Sequence, residues 1–216
     1  MINNVIDIII EYYPLLLKGL GITALLSLVT VLFGAVIGMI IALMRLSNNK
    51  LLKGIASFYV EVIRGVPLLL QLLIIYIALP SSVSKFVAAA IALIINSGAY
   101  VAEIIRGGIQ AVDNGQMDAA RSLGLSKKQA MIKIILPQAV KNILPAIGNE
   151  YVTVIKETSL ASTFYIGDLM TSQKYIGTET YLYLESYIVV AIFYFAATFT
   201  LSKLIGVLER RLKVSD

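Results

Sequence analysis

The stretch "LGITALLSLVTVLFGAVIGMIIALM", Leu20 to Met44, carries no charged residue and is interrupted only by Gly, Ser and Thr. A helix needs about 20 apolar residues to cross a hydrocarbon core about 30 Å thick, and this segment exceeds that length. The composition agrees: of 216 residues 58% are hydrophobic and 14% charged, with a mean hydropathy of +0.86, which is wrong for a soluble domain. Four further segments qualify. The second runs from about Val66 to Pro80, extended backwards through Phe58, and the third from about Phe86 to Ile109. The fourth, about Ile143 to Phe164, is more polar; the fifth, about Tyr183 to Val207, is apolar and aromatic. The pattern predicts an all-α membrane protein of about five transmembrane helices, forming one domain over residues 1–216.

Charge orients it. With the N-terminus outside, the inner loops and tail hold Arg45, Lys50, Lys53, Arg64, Arg106, Arg121, Lys127, Lys128, Lys133, Lys141, Lys203, Arg210, Arg211 and Lys213, which is 14 of the 18 cations. Lys18, Lys85 and Lys174 fall outside and Lys156 lies within the fourth segment. The positive-inside bias therefore predicts an N-out, C-in topology. A four-span alternative, with the fourth segment on the surface, would put Glu209-Arg210-Arg211-Leu212-Lys213 outside, against that bias. The net charge of +5 punctuates apolar runs instead of forming a basic domain, so no nucleic-acid partner is expected; the surrounding partner is membrane lipid. Without His or Cys there is no imidazole base, thiol nucleophile or disulfide, and none of the usual nitrogen or sulfur metal ligands. Met1 to Glu11 lack the basic start of a cleavable signal peptide.

The long connection "VDNGQMDAARSLGLSKKQAMIKIILPQAVKNILP", Val112 to Pro145, reads as two short helices. Asn114 is predicted to cap the first, Asp118 sits near its positive end, and Gly124 supplies a left-handed stop. Ser126 with Gln129 forms a capping box for the second, which carries Met131, Ile134 and Ile135 toward Pro137. Ala119 and Ala120 present small side chains that would let a partner approach the backbone. A helix pair lying on the membrane surface is the structural alternative.

Here the chain resembles the permeases of binding-protein-dependent ABC importers. Their pattern of Glu-Ala-Ala, three residues, Gly and a later Leu-Pro stands here as Asp118-Ala119-Ala120, Gly124 and Leu136-Pro137, with Asp in place of Glu. The resemblance narrows to the polar amino-acid uptake branch through "EVIRGVPLLLQL" (61–72), "SGAYVAEIIRGGI" (97–109), "GQMDAARSLGLS" (115–126) and "KETSLAS" (156–162). It implies a coupling loop, about 113–137, in which Asp118, Ala119, Ala120, Gly124 and Leu125 dock on an ATP-binding subunit. It also implies a second permease chain lining one pathway and an external substrate-binding protein. The expected assembly has two ATP-binding subunits and a homodimer of permeases. No G-x-x-x-x-G-K-[ST] phosphate loop occurs, so the chain is expected to be no enzyme and to bind no cofactor itself, leaving ATP and Mg to the partner.

Polar groups at membrane depth need a reason, because each costs free energy there. Glu103 lies deep in the third segment with Tyr100 and Asn96 on its helical face. A pair with Arg106 at i, i+3 and a role in the pathway are both open. Glu150, Thr153 and Glu157 form a polar stripe expected to face the pathway, with Lys156 neutralising Glu157 or an acid of a neighbouring chain. Glu150 has no local partner. Glu103, Glu150 and Glu157 outnumber Lys156, and a cationic cargo would relieve the excess. The predicted substrate set is Glu103 for the ammonium group and Glu150 for a basic side chain, with Asn96, Ser97, Thr153 and Tyr100 beside them. Arginine, lysine or histidine are favoured, with a neutral polar amino acid such as glutamine as runner-up. Gly34 and Gly38 are read as helix packing. Arg64-Gly65-Val66-Pro67 is read as the end of one segment and the anchor of the next, with Gln71 replacing a hydrogen bond that Pro67 forfeits. The rival functions are a self-sufficient carrier or channel and, more remotely, a membrane enzyme.

Overall fold

The computed structural model describes residues 1–213 and contains no strand among them. Ser215, a natural probe site for topology, lies outside the described residues. Helix α1, Ile2–Leu46, is 45 residues long, or about 67 Å at 1.5 Å per residue. It therefore begins well before the apolar run at Leu20 and outruns the hydrocarbon core. Its Gly34 and Gly38 press on α4, Lys85–Gln110. A Cβ at Gly38 would lie 2.7 Å from Val101 Cβ, and one at Gly34 3.0 Å from Ser97 Cβ, so this spacing serves close helix packing.

The second segment is not one rod. It divides into α2, Lys50–Gly65, and α3, Leu68–Ala78, bent by 106°. Pro67 has no N–H to continue the helix, and it holds Val66 extended at φ −103°, ψ 133°. Helix α2 is amphipathic. Ala56 and Val60 are buried, Val60 packs against Ala99 and Ala102 of α4, and the Tyr59 hydroxyl donates to the Ile95 carbonyl at 2.6 Å. Phe58, expected inside the span, is on the surface of α2. Among the described residues four helices are long and apolar enough to cross a membrane, or five where the bent α2–α3 pair counts as one broken span.

Past α4 come α5, Asn114–Ser122, then α6, Lys127–Ala130, a π turn at Met131–Ile135, and α7, Leu136–Glu157, which ends in a 3-10 turn, Thr158–Phe164. The second loop helix and the fourth span are thus one rod, not two pieces parted near Pro137. Pro137 sits in the first turn of α7, and just before it the Leu136 N–H reaches back five residues to the Met131 carbonyl. That widened turn carries the helix past the proline instead of stopping it. Helices α8, Leu169–Thr180, and α9, Tyr183–Lys213, complete the chain. The N-terminal half of α1 packs on them through Ile8, Leu16, Leu169, Ile176, Val189 and Val190. A second cluster joins α1, α4 and α7 near the loop end through Ala42, Val101, Ile105, Ala139 and Ile143. Loop helices and α8 therefore occupy opposite ends of the bundle.

Candidate coupling loop and buried polar sites

The α5–α6 loop is built by local hydrogen bonds. Its first cap is Asp113, not Asn114: the Asp113 carboxylate accepts from the Gly115 N–H at 2.6 Å, and Asn114 is already helical. Asp fills the same cap role one residue earlier. The helix stops at Gly124, φ +85°, where the Leu125 N–H reaches the Ala120 carbonyl at 3.1 Å and the Gly124 N–H the Arg121 carbonyl at 3.0 Å. This is the Schellman pattern, and a β-carbon is strained at its left-handed position. The capping box forms in full: Gln129 N–H donates to Ser126 Oγ at 3.2 Å, and Ser126 N–H to Gln129 Oε1 at 2.9 Å.

Side chains sort unevenly around this backbone. Asp118, Ala119, Lys127 and Lys128 are exposed and Leu125 is half-buried, but Ala120 is buried. The expectation that both alanines offer an open surface is corrected for Ala120, which is buried in a helix that packs against α6 and the π turn after it. The residue that sequence reading missed is Leu123, 85% exposed at the end of α5. An apolar residue between Ser122 and the stop at Gly124 was the available signal.

A second set of polar residues lies between α3, α4 and α7. Buried Ser97 donates to buried Glu150 Oε1 at 3.0 Å. Buried Asn96 donates to Gln71 Oε1 at 3.2 Å, and Gln71 Nε2 donates to the carbonyls of Ile63 at 2.7 Å and Val66 at 2.8 Å. The Ile63 carbonyl is the one a helical N–H at position 67 would have satisfied, so Gln71 makes the repair expected of it. The stripe on α7 splits. Glu150 turns inward and Glu157 is half-buried, while Thr153 is exposed and donates to the Asn149 carbonyl of its own helix at 3.2 Å. Lys156 is exposed and makes no ion pair with Glu157, whereas Arg45, Arg64 and Arg106 all pair with Glu103.

Around Glu103 the charge balance is the reverse of the expected excess of acid. Its carboxylate is shared by Arg45 of α1, by Arg106 of α4 at 2.6 Å and by Arg64 of α2 at 3.8 Å. Arg64 also stands over the Tyr100 ring, 5.3 Å from its centroid, a cation–π distance. The i, i+3 pair with Arg106 exists, but two arginines distant in sequence join it. The structure does not bring Glu103 and Tyr100 into contact with Glu150. Arg45 and Arg64 carried no sequence signal beyond marking helix ends.

Residues 34–214 match the family of the binding-protein-dependent transport system inner membrane component. The chain belongs to this family. It is 40% identical over 211 residues to the arginine transport system permease protein ArtQ of Bacillus subtilis (strain 168), covering 96% of each chain. To the putative glutamine transport system permease protein GlnP of Rickettsia bellii (strain RML369-C) it is 42% identical over 216 residues, covering 97% of this chain and 99% of that one. A crystal structure of an amino acid ABC transporter with histidines superposes with a TM-score of 0.90 at 48% identity, covering 94% of this chain and 96% of that one. The protein is thus a multi-pass inner-membrane permease subunit of an ABC amino-acid importer, and ATP hydrolysis belongs to a separate subunit. Its family implies an ATP-binding subunit and a substrate-binding protein as partners. A self-sufficient carrier and a membrane enzyme are thereby set aside.

Proposed function

We propose that this permease carries basic L-amino acids, arginine, lysine or histidine, and that Glu150 receives their side-chain cation. The observation that supports this is a carboxylate buried between α4 and α7 whose hydrogen-bond donor is the neutral Ser97 hydroxyl, with no ion pair among the described residues. A buried anion without a counter-ion is costly, and a cationic cargo would supply one. Ser97 is its bonded neighbour in this proposal, with Asn96, which is held by Gln71, beside Ser97 on α4; exposed Thr153 would reach the cargo only from the outer side of α7. Glu103 and Tyr100, already engaged by arginines, belong in this reading to the architecture of the loop end and not to the cargo. The test is uptake of labelled arginine by the reconstituted importer with unlabelled competitors. Lysine and histidine should suppress it and glutamine should not; suppression by glutamine alone would make the cargo neutral and sink the proposal.

The same reading has two permease copies around one pathway, two ATP-binding subunits that hold ATP and Mg, and a loop, 113–137, that docks on them. Asp118, Ala119, Gly124 and Leu125 keep their proposed coupling role, Ala120 supports it from beneath, and Leu123 joins as the protruding apolar contact. The proposed orientation is N-out, C-in. Ser82→Cys should react with an impermeant thiol reagent from outside intact cells and Ser126→Cys only after lysis, which a chain without cysteine makes easy to read. Labelling of Ser126→Cys from outside would overturn the orientation.

A further inference from the structure

A groove of about 760 Å³ opens between the C-terminal half of α1, the end of α4 and the rod formed by α6 and α7. Its mouth reaches the second helix of the loop but none of the proposed docking residues Asp118 to Leu125, and it is separate from the Glu150 site. Its two ends differ in chemistry. Ala35, Met39 and Leu43 of α1 and Leu144 and Ile147 of α7 make the deep part apolar, whereas Ser47, Asn48, Lys127 and Lys128 line the mouth. Met39 and Leu43 are at least half exposed, so this is an open apolar surface on a helix that crosses the bilayer. Lys127 and Lys128 form no ion pair with any acid among the described residues. From Ala35 to Ser47, α1 rises about 18 Å at 1.5 Å per residue, comparable with the roughly 15 Å of one leaflet's hydrocarbon.

We infer that this groove holds an anionic phospholipid of the leaflet on the loop side, its acyl chains along α1 and α7 and its phosphate between Lys127 and Lys128. Apolar walls of leaflet length ending in two unpaired cations match that molecule at both ends, and basic pockets between membrane helices take anionic headgroups. A second protein chain would have to bring an acidic pair on an apolar helix to do the same. The lipid would tie the C-terminal end of α1 to the start of α6, so the bilayer would bear directly on the loop that faces the motor.

The absence of tryptophan makes binding readable. Leu43→Trp, or Met39→Trp as a second position, places one fluorophore in the groove of the full-length chain reconstituted in phosphatidylcholine vesicles. Brominated phosphatidylglycerol should quench it with a preference of about tenfold or more over brominated phosphatidylcholine, the size expected of two lysines near a charged surface. Lys127→Gln with Lys128→Gln should abolish that preference and leave quenching by phosphatidylcholine intact. A reporter at Leu32, on α1 but outside the groove, should show no headgroup preference. Equal quenching by the two lipids in the groove overturns the inference, and so does protection from both, which would mean that protein covers the groove. Because the measurement reads binding and not transport, it is independent of the cargo assignment.

Discussion

The α5–α6 loop, with Asp113, Ser126 and Gln129, and the polar interior between α3, α4 and α7, with Gln71, Asn96, Ser97 and Glu150, both rest on polar side chains, yet they use them in opposite ways. In the loop the capping side chains bond backbone within three residues, as Asp113 does to Gly115, Ser126 to Gln129 and Gln129 to Ser126. In the interior the partners stand 25 residues apart for Asn96 and Gln71 and 53 for Ser97 and Glu150, and the pair of Arg45 and Glu103 toward the loop end spans 58. The turns of the loop are thus fixed locally, while Val112, Met117, Met131 and Ile135 seat it on α1, α4 and α7, so it can present a rigid edge to another chain. The interior depends on helix packing, so a cargo or a conformational change that shifts the helices must also change its hydrogen bonds.

The sharpest way to break the loop is Gly124→Val. A β-branched residue at φ +85° costs about 1–3 kcal/mol, enough to open the Schellman turn and swing Leu123 away. Uptake by the reconstituted importer should fall roughly 10- to 100-fold, a barrier change of up to about 2.7 kcal/mol, with the chain still inserted in the membrane. Uptake at the unaltered rate would remove the loop from coupling. Ala119→Phe tests the docking face itself, whereas Ala120→Phe would overpack the buried side and report on folding.

Next in size is Glu103→Gln. It leaves three guanidiniums around a neutral amide, and since the cluster is only partly buried the cost should be about 2 kcal/mol, below the range for a fully buried pair. The thermal midpoint of the purified complex should drop by roughly 4–8 °C, with the order of preferred substrates unchanged. If the midpoint holds and arginine affinity collapses, Glu103 belongs to the cargo site after all. Glu150→Gln should do the converse. Arginine and lysine uptake should fall about tenfold relative to glutamine, near 1.4 kcal/mol, and an unaltered substrate profile would remove Glu150 from the site.

What could be read in advance follows the same division. The capping box, the left-handed stop at Gly124 and the glycine contacts of α1 rest on spacings of a few residues, and all were visible. The repair by Gln71 was visible too, because the proline that creates the need is one turn away. Of the three arginines on Glu103 only Arg106, one turn along the same helix, was visible. Arg45 and Arg64 lie in separate helices, and nothing local to either says that α1, α2 and α4 bring them together. The break between α2 and α3 was half legible: Arg64 to Pro67 marked the end of a segment, but extending the second span backwards through Phe58 carried it across that end. Hydropathy measures length of apolar sequence and is blind to direction. The α6–α7 rod fails the other way, since a proline after a capped helix reads as an end unless a π turn makes room for it.

The smallest effect expected links packing to the site. A Cβ at Gly34 would sit 3.0 Å from both Ser97 Cβ and Oγ, close enough that Ser97 must shift by a few tenths of an ångström. Ser97 is the donor to Glu150, so Gly34→Ala should lengthen that bond without removing either partner. The intrinsic gain of alanine over glycine in a helix, about 1 kcal/mol, offsets part of the overpacking. Stability should therefore barely move, while arginine uptake falls about two- to threefold, roughly 0.5 kcal/mol. The control is Gly54→Ala in α2, where an added Cβ meets nothing within 4 Å. It should raise the thermal midpoint slightly and leave uptake unchanged. Equal behaviour of the two variants would mean that the contact between α1 and Ser97 does not set the position of the Ser97–Glu150 pair.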